Sequence, residues 1–262
     1  MGIIGGRLGY LMLRKIAPVP VILTFNQEIS NKLDTNLGRV FCENFFSLIQ
    51  GKTVIDFGCG DGRHTVEMAV NGAAKVIGID IQNKLLSIAR ELAKKKLVAD
   101  HCFFVTETDE LADIIVSKDA FEHFSDPVSV LDFMHTLLKP NGFILASFGP
   151  TWLHPYGGHL FSVFPWAHLI FTENALIRWR SDFKSDGATK FSEVEGGLNK
   201  LTIRKFEKII RDSPFNIEWL DTIPIKGFYP FKYKAIREFG SSIVRCKLIP
   251  KKAKISYSPY TK

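Results

Sequence analysis

Short apolar runs alternate along the chain with segments in which apolar residues recur every three or four positions. A short apolar run between turn signals is typical of a buried strand, whereas the longer period is typical of a helix with one buried face. The runs predict strands at residues 54–56, 75–80, 102–105, 112–117, 216–221 and 241–248, and a turn followed by a further strand within residues 137–148. The periodic segments predict helices at residues 39–49, 63–70, 83–92, 127–138 and 202–211. The expected buried faces are Phe41, Phe45, Leu48 and Ile49 in the first of these helices, and Leu85, Ile88, Ala89 and Leu92 in the third. Strands and helices that alternate in this way predict an α/β fold.

A glycine-rich turn follows the first predicted strand. The strand runs into Asp56, and glycine then occupies every second position at Gly58, Gly60 and Gly62, directly before the helix at residues 63–70. Glycine lets a ligand approach the backbone closely, and the free N–H groups of the following helix attract polar or anionic groups. The pattern therefore predicts a site for a flat, polar ligand.

Spacing separates the ligands that such a turn can bind. A phosphate-binding loop ends in Gly-Lys-Ser/Thr, but Gly62 is followed by Arg63 and His64. The dinucleotide fingerprint G-x-G-x-x-G places its third glycine one residue later than this chain does. The pattern D-x-G-x-G-x-G instead resembles motif I of the class I S-adenosylmethionine-dependent methyltransferases. A glycine turn that binds no ligand is the alternative.

This resemblance extends to about Phe148. The segment EHFSDP, a helix, and then LLKPNGF are similar to the small-molecule methyltransferases of ubiquinone and menaquinone biosynthesis, although Asn141 stands where that family usually has glycine. The resemblance implies a Rossmann-like seven-stranded sheet, mostly parallel with the last strand antiparallel, and S-adenosylmethionine as cofactor. It implies that Asp56 faces the methionyl amine, Asp80 the ribose hydroxyls, and Thr106 with Glu107 the adenine. For Asp80 the alternative is a cap for the helix that starts at Asn83. The residues expected at the cofactor are Asp56, Gly58, Cys59, Gly60, Gly62, Asp80, Ile81, Thr106, Glu107 and Lys118.

Three polar residues follow the fourth predicted strand. Asp119, Glu122 and His123 form D-A-F-E-H, which resembles the E-x-x-E-H that holds a divalent cation in quinone-type O-methyltransferases. Carboxylate ligands would suit Mg²⁺. The alternative, which we favour, is a structural Glu-His pair without a metal. Asp119 or His123 could also act as a general base toward the acceptor.

Residues 150–201 form an unusually aromatic insertion after the fifth strand. Aromatic walls with a few polar tips are typical of a ligand pocket, so we expect a lid that covers the acceptor and carries His154, Tyr156 and His159. The candidate catalytic residues are thus His154, His159, Asp119, His123 and Tyr156. Simple packing of the aromatic residues is the alternative, and the histidine spacing argues against a zinc site.

Charged residues are distributed unevenly along the chain. The net charge is +7, yet residues 226–262 hold ten Lys or Arg residues against Glu238 alone. With an apolar N-terminal segment, this basic end predicts peripheral association with anionic membranes. No spanning segment, signal peptide or myristoylation site is expected, and four scattered cysteines without a C-x-x-C favour the cytoplasm. The predicted divisions are an N-terminal segment at 1–38, a cofactor-binding core at 39–149, the insertion at 150–201, a C-terminal completion of the core at 202–250 and a basic tail at 251–262.

These observations predict an enzyme that transfers a methyl group from S-adenosylmethionine to oxygen or nitrogen of a small, aromatic or lipid-like acceptor. Two alternatives remain. A nucleic-acid methyltransferase would suit the basic tail, but no Asn/Asp-Pro-Pro-Tyr/Phe motif follows the fourth strand, so no specific nucleic acid is expected. A non-catalytic binding protein of the same fold would be expected to lack the two cofactor acids, Asp56 and Asp80.

Overall fold

A computed structural model describes residues 2–17, 37–194, 196–225 and 236–252. The predicted basic tail therefore lies almost entirely outside the described residues, as does much of the N-terminal segment. The strands are β1 (Thr53–Phe57), β2 (Lys75–Ile79), β3 (Cys102–Val105), β4 (Ala112–Lys118), β5 (Leu138–Phe148), β6 (Phe215–Pro224) and β7 (Ser241–Pro250). The α-helices are α1 (Gly6–Ile16), α2 (Leu37–Val40), α3 (Phe45–Ile49), α4 (Arg63–Val70), α5 (Asn83–Lys95), α6 (Pro127–Thr136), α7 (Ala167–Ile170), α8 (Glu173–Arg180), α9 (Ile203–Asp212) and α10 (Arg237–Gly240).

The strands form one seven-stranded sheet in the order β3-β2-β1-β4-β5-β7-β6. The first five strands are parallel, and β7 runs antiparallel to both β5 and β6. The predicted mostly parallel sheet with an antiparallel last strand is therefore confirmed. The order reverses direction beside β1, and ligands of open α/β sheets bind at such a point, beyond the carboxyl ends of the strands.

The central strands bury both of their faces. Val54 and Val76 face one hydrophobic cluster, whereas their neighbours Ile55 and Ile77 face the other. The first cluster includes residues of α4 and α5, and the second includes residues of α6 and α9. Strands covered on both faces have continuous apolar runs, which is why the sequence located them well.

Two helices differ from the prediction. The helix predicted at residues 39–49 is divided into α2 and α3, and Leu48 is 36% exposed. In α5 the buried residues are Leu86, Ala89 and Ala93, while Ile88 is 45% exposed. The glycine turn explains this choice, because a Cβ placed on Gly62 would lie 2.5 Å from the Cβ of Ala89. Helix α5 packs so closely against the glycine turn that only a small side chain, Ala89, fits on the face of the helix that meets Gly62.

The insertion, residues 150–201, adds no strand to the sheet and builds a third hydrophobic cluster. This cluster includes Trp152, Phe161 and Phe171, and it is completed by Leu13 of α1. Gly9 lets α1 approach α8, since a Cβ at this position would lie 3.2 Å from the Cβ of Ala175. The N-terminal helix thus belongs with the insertion. No helix in the described ranges has both the length and the hydropathy that a bilayer span requires.

Candidate functional site

The glycine turn lies between β1 and α4, at the edge of the sheet where the parallel strands end. Gly58, Gly60 and Gly62 have φ angles of +82°, +53° and +77°, which favour glycine. A Cβ on Gly58 would lie 2.8 Å from the Cβ of Ala120, so this glycine permits close packing, as Gly62 does. A Cβ on Gly60 would meet no atom within 4 Å. The middle of the turn therefore presents bare backbone to open space, where a ligand fits.

Asp80 joins this turn to the end of β2. Its Oδ2 accepts a hydrogen bond from the Gly60 N–H at 2.8 Å, and its Oδ1 accepts one from the Gln82 N–H at 2.9 Å. Each carboxylate oxygen keeps a further lone pair, so the partly exposed side chain can still accept bonds from a ligand. The adjacent Ile81 is 88% exposed, an unusual setting for a large apolar side chain. These features fit the ribose and adenine of a nucleoside cofactor.

Asp56 has a different position from the one that the sequence predicts. It is 1% exposed, and its Oδ2 accepts a hydrogen bond from the Thr65 hydroxyl at 2.6 Å. Burial raises the pKa of Asp56 to about 6, against the opposing effect of its bonds to Thr65. The side chain is therefore buried against the first turn of α4, and its predicted contact with the methionyl amine is not supported by this position. Cys59 is also buried, and its Sγ approaches Gly78, so only its backbone remains available to a cofactor.

Charged residues meet at the end of β4. Lys118 Nζ forms an ion pair with the carboxylate of Asp119, whose backbone has a φ of +53°. Burial, followed by the charge of Lys118, lowers the pKa of the nearby His64 to about 4. A neutral imidazole thus stands beside the ion pair at neutral pH. His64 was not predicted as a site residue, although its place directly after the glycine turn could have indicated it.

Glu122 is turned into the protein. It is 5% exposed, and its Oε1 accepts a hydrogen bond from the Gly149 N–H at 3.1 Å. Its Oε2 has no hydrogen-bond partner within the described part of the chain. Burial raises the pKa of Glu122 to about 8, so the side chain is largely protonated at neutral pH.

The alternative of a metal at Asp119, Glu122 and His123 is not supported by this arrangement. Over residues 2–17, 37–194, 196–225 and 236–252, no three His, Cys, Asp or Glu side chains are grouped so that they could hold a metal ion. Asp119 is paired with Lys118, and Glu122 bonds to the backbone of Gly149. The three residues share one turn but not one point in space.

His123 is the best oriented of the candidate bases. Its Nδ1 lies 2.8 Å from the carbonyl oxygen of Gly197. Because a carbonyl only accepts, Nδ1 must carry the proton, and the lone pair of the neutral ring is then on Nε2. The ring of His159 packs against that of His123 at 5.5 Å between centroids. Burial and the neighbouring His123 lower the pKa of His159 to about 4.

The other histidines of the insertion stabilise its structure. His154 accepts a hydrogen bond at Nδ1 from the Tyr156 N–H at 3.0 Å, so its proton lies on Nε2 and the ring offers no lone pair for a base. His168 Nε2 donates to the Trp152 carbonyl at 2.6 Å, and its Nδ1 lies 3.1 Å from the Ser162 hydroxyl. The structure therefore does not support His154 as a general base.

The expected aromatic lid is not confirmed either. Trp152, Phe161 and Phe171 are at most 4% exposed and pack within the insertion's own cluster. Tyr156 is 51% exposed and Trp166 39%. The alternative of simple packing thus accounts for most of these aromatic residues, and their partners are α1 and α8, not the sheet.

Comparisons with known proteins agree with this core. Residues 48–156 match the family model described as a methyltransferase domain. The ubiquinone biosynthesis O-methyltransferase of Acinetobacter baylyi is 36% identical over 106 residues, which are 38% of this chain and 44% of that protein. The enzyme of the same name from Neisseria meningitidis serogroup C is 34% identical over 38% of this chain and 44% of its own length. The matched region therefore spans less than half of these relatives.

Solved structures extend the similarity to most of the fold. The mitomycin 7-O-methyltransferase has a TM-score of 0.52 and 16% identity, over 79% of this chain and 50% of its own. Magnesium protoporphyrin IX methyltransferase from Synechocystis PCC 6803, solved with SAH, has a TM-score of 0.50 and 16% identity, over 78% of this chain and 76% of its own. Residues 48–156 are thus similar to a methyltransferase domain, and the strand order and the glycine turn of the core agree with that similarity.

Proposed function

We propose that the chain transfers a methyl group from S-adenosylmethionine to oxygen, or else nitrogen, of a small aromatic or lipid-like acceptor. The observation that carries this proposal is the Asp80 carboxylate held beside the exposed backbone of Gly60, at the point where the strand order reverses. The names of the curated relatives, O-methyltransferases of ubiquinone biosynthesis, favour oxygen as the atom that is methylated.

The residues at the sheet edge have distinct tasks in this proposal. S-adenosylmethionine supplies a methyl group that its sulfonium centre already activates. In this proposal Gly60 leaves the backbone open to the cofactor and Asp80 accepts hydrogen bonds from its ribose hydroxyls. We assign Ile81, Thr106 and Glu107 to its adenine. The ion pair of Lys118 and Asp119 offers one charge of each sign to its methionyl end. Accurate alignment of two reactants can lower a barrier by up to ~7 to 11 kcal/mol.

A hydroxyl acceptor also needs to lose a proton. We assign this task to His123, because the Gly197 carbonyl fixes its Nδ1–H and leaves Nε2 to accept the proton. His159, which packs against His123, is the second candidate, and its lowered pKa keeps it neutral. A general base of this kind contributes about 10²- to 10⁴-fold in rate.

Calorimetry with S-adenosylmethionine tests the proposal. Asp80→Asn keeps the size of the side chain but removes its charge, and should weaken binding by about 10- to 100-fold because charge-assisted hydrogen bonds are lost. Asp100→Asn is the matched control, an exposed acid at the opposite end of the sheet, before β3. Thermal unfolding of both variants checks that the fold is intact. Equal affinity in the wild type and Asp80→Asn would refute the cofactor assignment, and binding without turnover of any acceptor would favour a non-catalytic binding protein.

We also propose that the protein associates loosely with anionic membranes. On α1 the exposed residues Leu8 and Leu11 stand beside Arg7 and Lys15, so one face of the helix combines apolar and cationic side chains. Such a face binds a lipid surface through buried apolar area and attraction to anionic headgroups. A lipid-like acceptor would then be taken from the membrane.

A further inference from the structure

A groove opens between the core and the insertion, beside the turn that carries His123. It has a volume of about 540 Å³ and lies between this turn, the start of α8 and the segment that leads into α9. Its lining includes His123, Asn199, Glu173 and three lysines, Lys190, Lys200 and Lys205. It is thus the surface onto which the proposed base His123 faces.

Positive charge is concentrated in this groove. Glu173 is its only acidic residue among the described lining, and it pairs with Lys200 at 2.6 Å. Lys205 Nζ donates to the carbonyl oxygen of Asn199 at 2.6 Å. Burial and the charge of Lys200 lower the pKa of Lys205, which indicates that the two ammonium groups repel each other. A bound anion would relieve this repulsion.

A smaller cavity adjoins the groove and supplies a second observation. It shares Leu198 and Lys200 with the groove, and Glu122 and Trp152 line it. These two side chains are 5% and 4% exposed, and Glu122 Oε2 and Trp152 Nε1 have no hydrogen-bond partner anywhere in the described ranges. Buried polar atoms are normally hydrogen-bonded, so this end of the groove suits a polar ligand group or a water that such a group retains.

We propose that the methyl acceptor carries an anionic oxygen group, a carboxylate or a phosphate, which binds the lysines of this groove while the reacting hydroxyl lies at His123. The inference rests on the proposed function and deepens it, because it makes Lys190, Lys200 and Lys205 determinants of acceptor specificity. The anionic group would bind through charge-assisted hydrogen bonds to ammonium groups.

Titration with small probes tests this inference. Benzoate, inorganic phosphate and neutral benzyl alcohol are titrated into the protein with and without S-adenosylhomocysteine, and the ring resonances of His123 are followed by NMR. We expect saturable shifts with an anion and none with benzyl alcohol, and the tighter of the two anions identifies carboxylate or phosphate. Absence of saturation by either anion up to about 50 mM would overturn the inference, as would equal binding of benzyl alcohol.

Variants of opposite effect exclude a merely structural explanation. Lys205→Ala should weaken anion binding by about 5- to 10-fold, whereas Glu173→Gln should strengthen it, because it frees Lys200 from its ion pair. Lys94→Ala is the matched control, an exposed lysine near the end of α5 that pairs with Glu91. If all three variants bind the anion as the wild type does, the groove is not the site. Calorimetry with S-adenosylhomocysteine on the same samples reports separately on the proposed function, whose failure would appear as lost cofactor binding with anion binding intact.

Discussion

The core and the insertion each bury hydrophobic side chains, but they satisfy their buried polar groups in different ways. In the core, backbone groups pair along the ladders of the sheet, and the buried acid Asp56 accepts a hydrogen bond from the Thr65 hydroxyl in the first turn of α4. In the insertion, hydrogen bonds made by side chains take the place of sheet ladders. His168 joins Ser162 to the Trp152 carbonyl, and Arg180 donates to both carboxylate oxygens of Asp186 at 2.7 and 2.5 Å.

The fold of each region is therefore specified by a different kind of interaction. A sheet repeats one bonding pattern, so an apolar run of suitable length is enough to specify a strand. The insertion depends on individual pairs, and each pair requires particular residues at particular positions. We therefore expect substitutions to affect the two regions in different ways.

Removal of one buried leucine from each region should have the largest effect. Leu13→Ala opens a cavity in the insertion's cluster, and Leu131→Ala opens one in the core. Each should cost about 2 to 5 kcal/mol of local stability. Hydrogen exchange should show faster opening of residues 150–201 in Leu13→Ala, with β1 and β4 still protected, whereas Leu131→Ala should affect the whole core. Identical exchange profiles in the two variants would mean that both regions unfold as one unit.

The stability of the protein should depend on pH through Glu122, which bonds to Gly149 where the core meets the insertion. Glu122 has a folded pKa of about 8, above its ordinary value of 4.5, so the unfolded state releases its proton at lower pH than the folded state does. The folded state is therefore penalised increasingly between pH 4.5 and 8. Glu122→Gln removes this titration and can still accept from the Gly149 N–H.

Denaturant unfolding of wild type and Glu122→Gln at pH 5 and pH 8 measures this effect. The variant should gain stability relative to the wild type as pH rises, by an amount on the order of a few kcal/mol at most. Other titrating groups are common to both proteins and cancel in the difference. A constant difference between the two pH values would show that Glu122 has an ordinary pKa.

The smallest effect concerns the outer surfaces of the two regions. Leu11→Ser on α1 should weaken binding to vesicles that contain anionic phospholipid by about fivefold, because a half-exposed leucine contributes roughly 1 kcal/mol at an apolar surface. Ile88→Ser on α5 is the control, since Ile88 is 45% exposed and Leu11 is 49% exposed. Co-sedimentation at low and high salt measures both variants. Equal loss in the two variants, or no wild-type binding at low salt, would contradict the membrane proposal.

The sequence predicted the core well for a physical reason. Residues 63–70 and 102–105 became a helix and a strand with the predicted bounds, and Asp126, directly before Pro127, caps the N-terminus of α6. Asn141 adopts a φ of +66°, as its place in the turn before the end of β5 requires. All of these features depend on residues close in sequence.

The site was predicted less completely, because its decisive contacts are distant in sequence. His123 is oriented by the hydrogen bond that its Nδ1–H donates to the Gly197 carbonyl. Glu122 is held inside the protein by the hydrogen bond that it accepts from the Gly149 N–H. Aromatic composition alone does not distinguish a ligand pocket from a self-contained cluster. Residues 154 and 159 therefore appeared equivalent, although only His159 lies against His123.

The packing of α1 against α8 has a consequence for the order in which the chain folds. During synthesis from the N-terminus, α1 emerges before the whole of the core, yet the apolar residues that cover Leu13 emerge only with the insertion. Until then the partners that the described residues provide for its apolar face are absent, a condition that favours chaperone binding or early contact with a membrane. Closure of this long loop is entropically costly and should be a late step of folding, after β1 to β5 have paired.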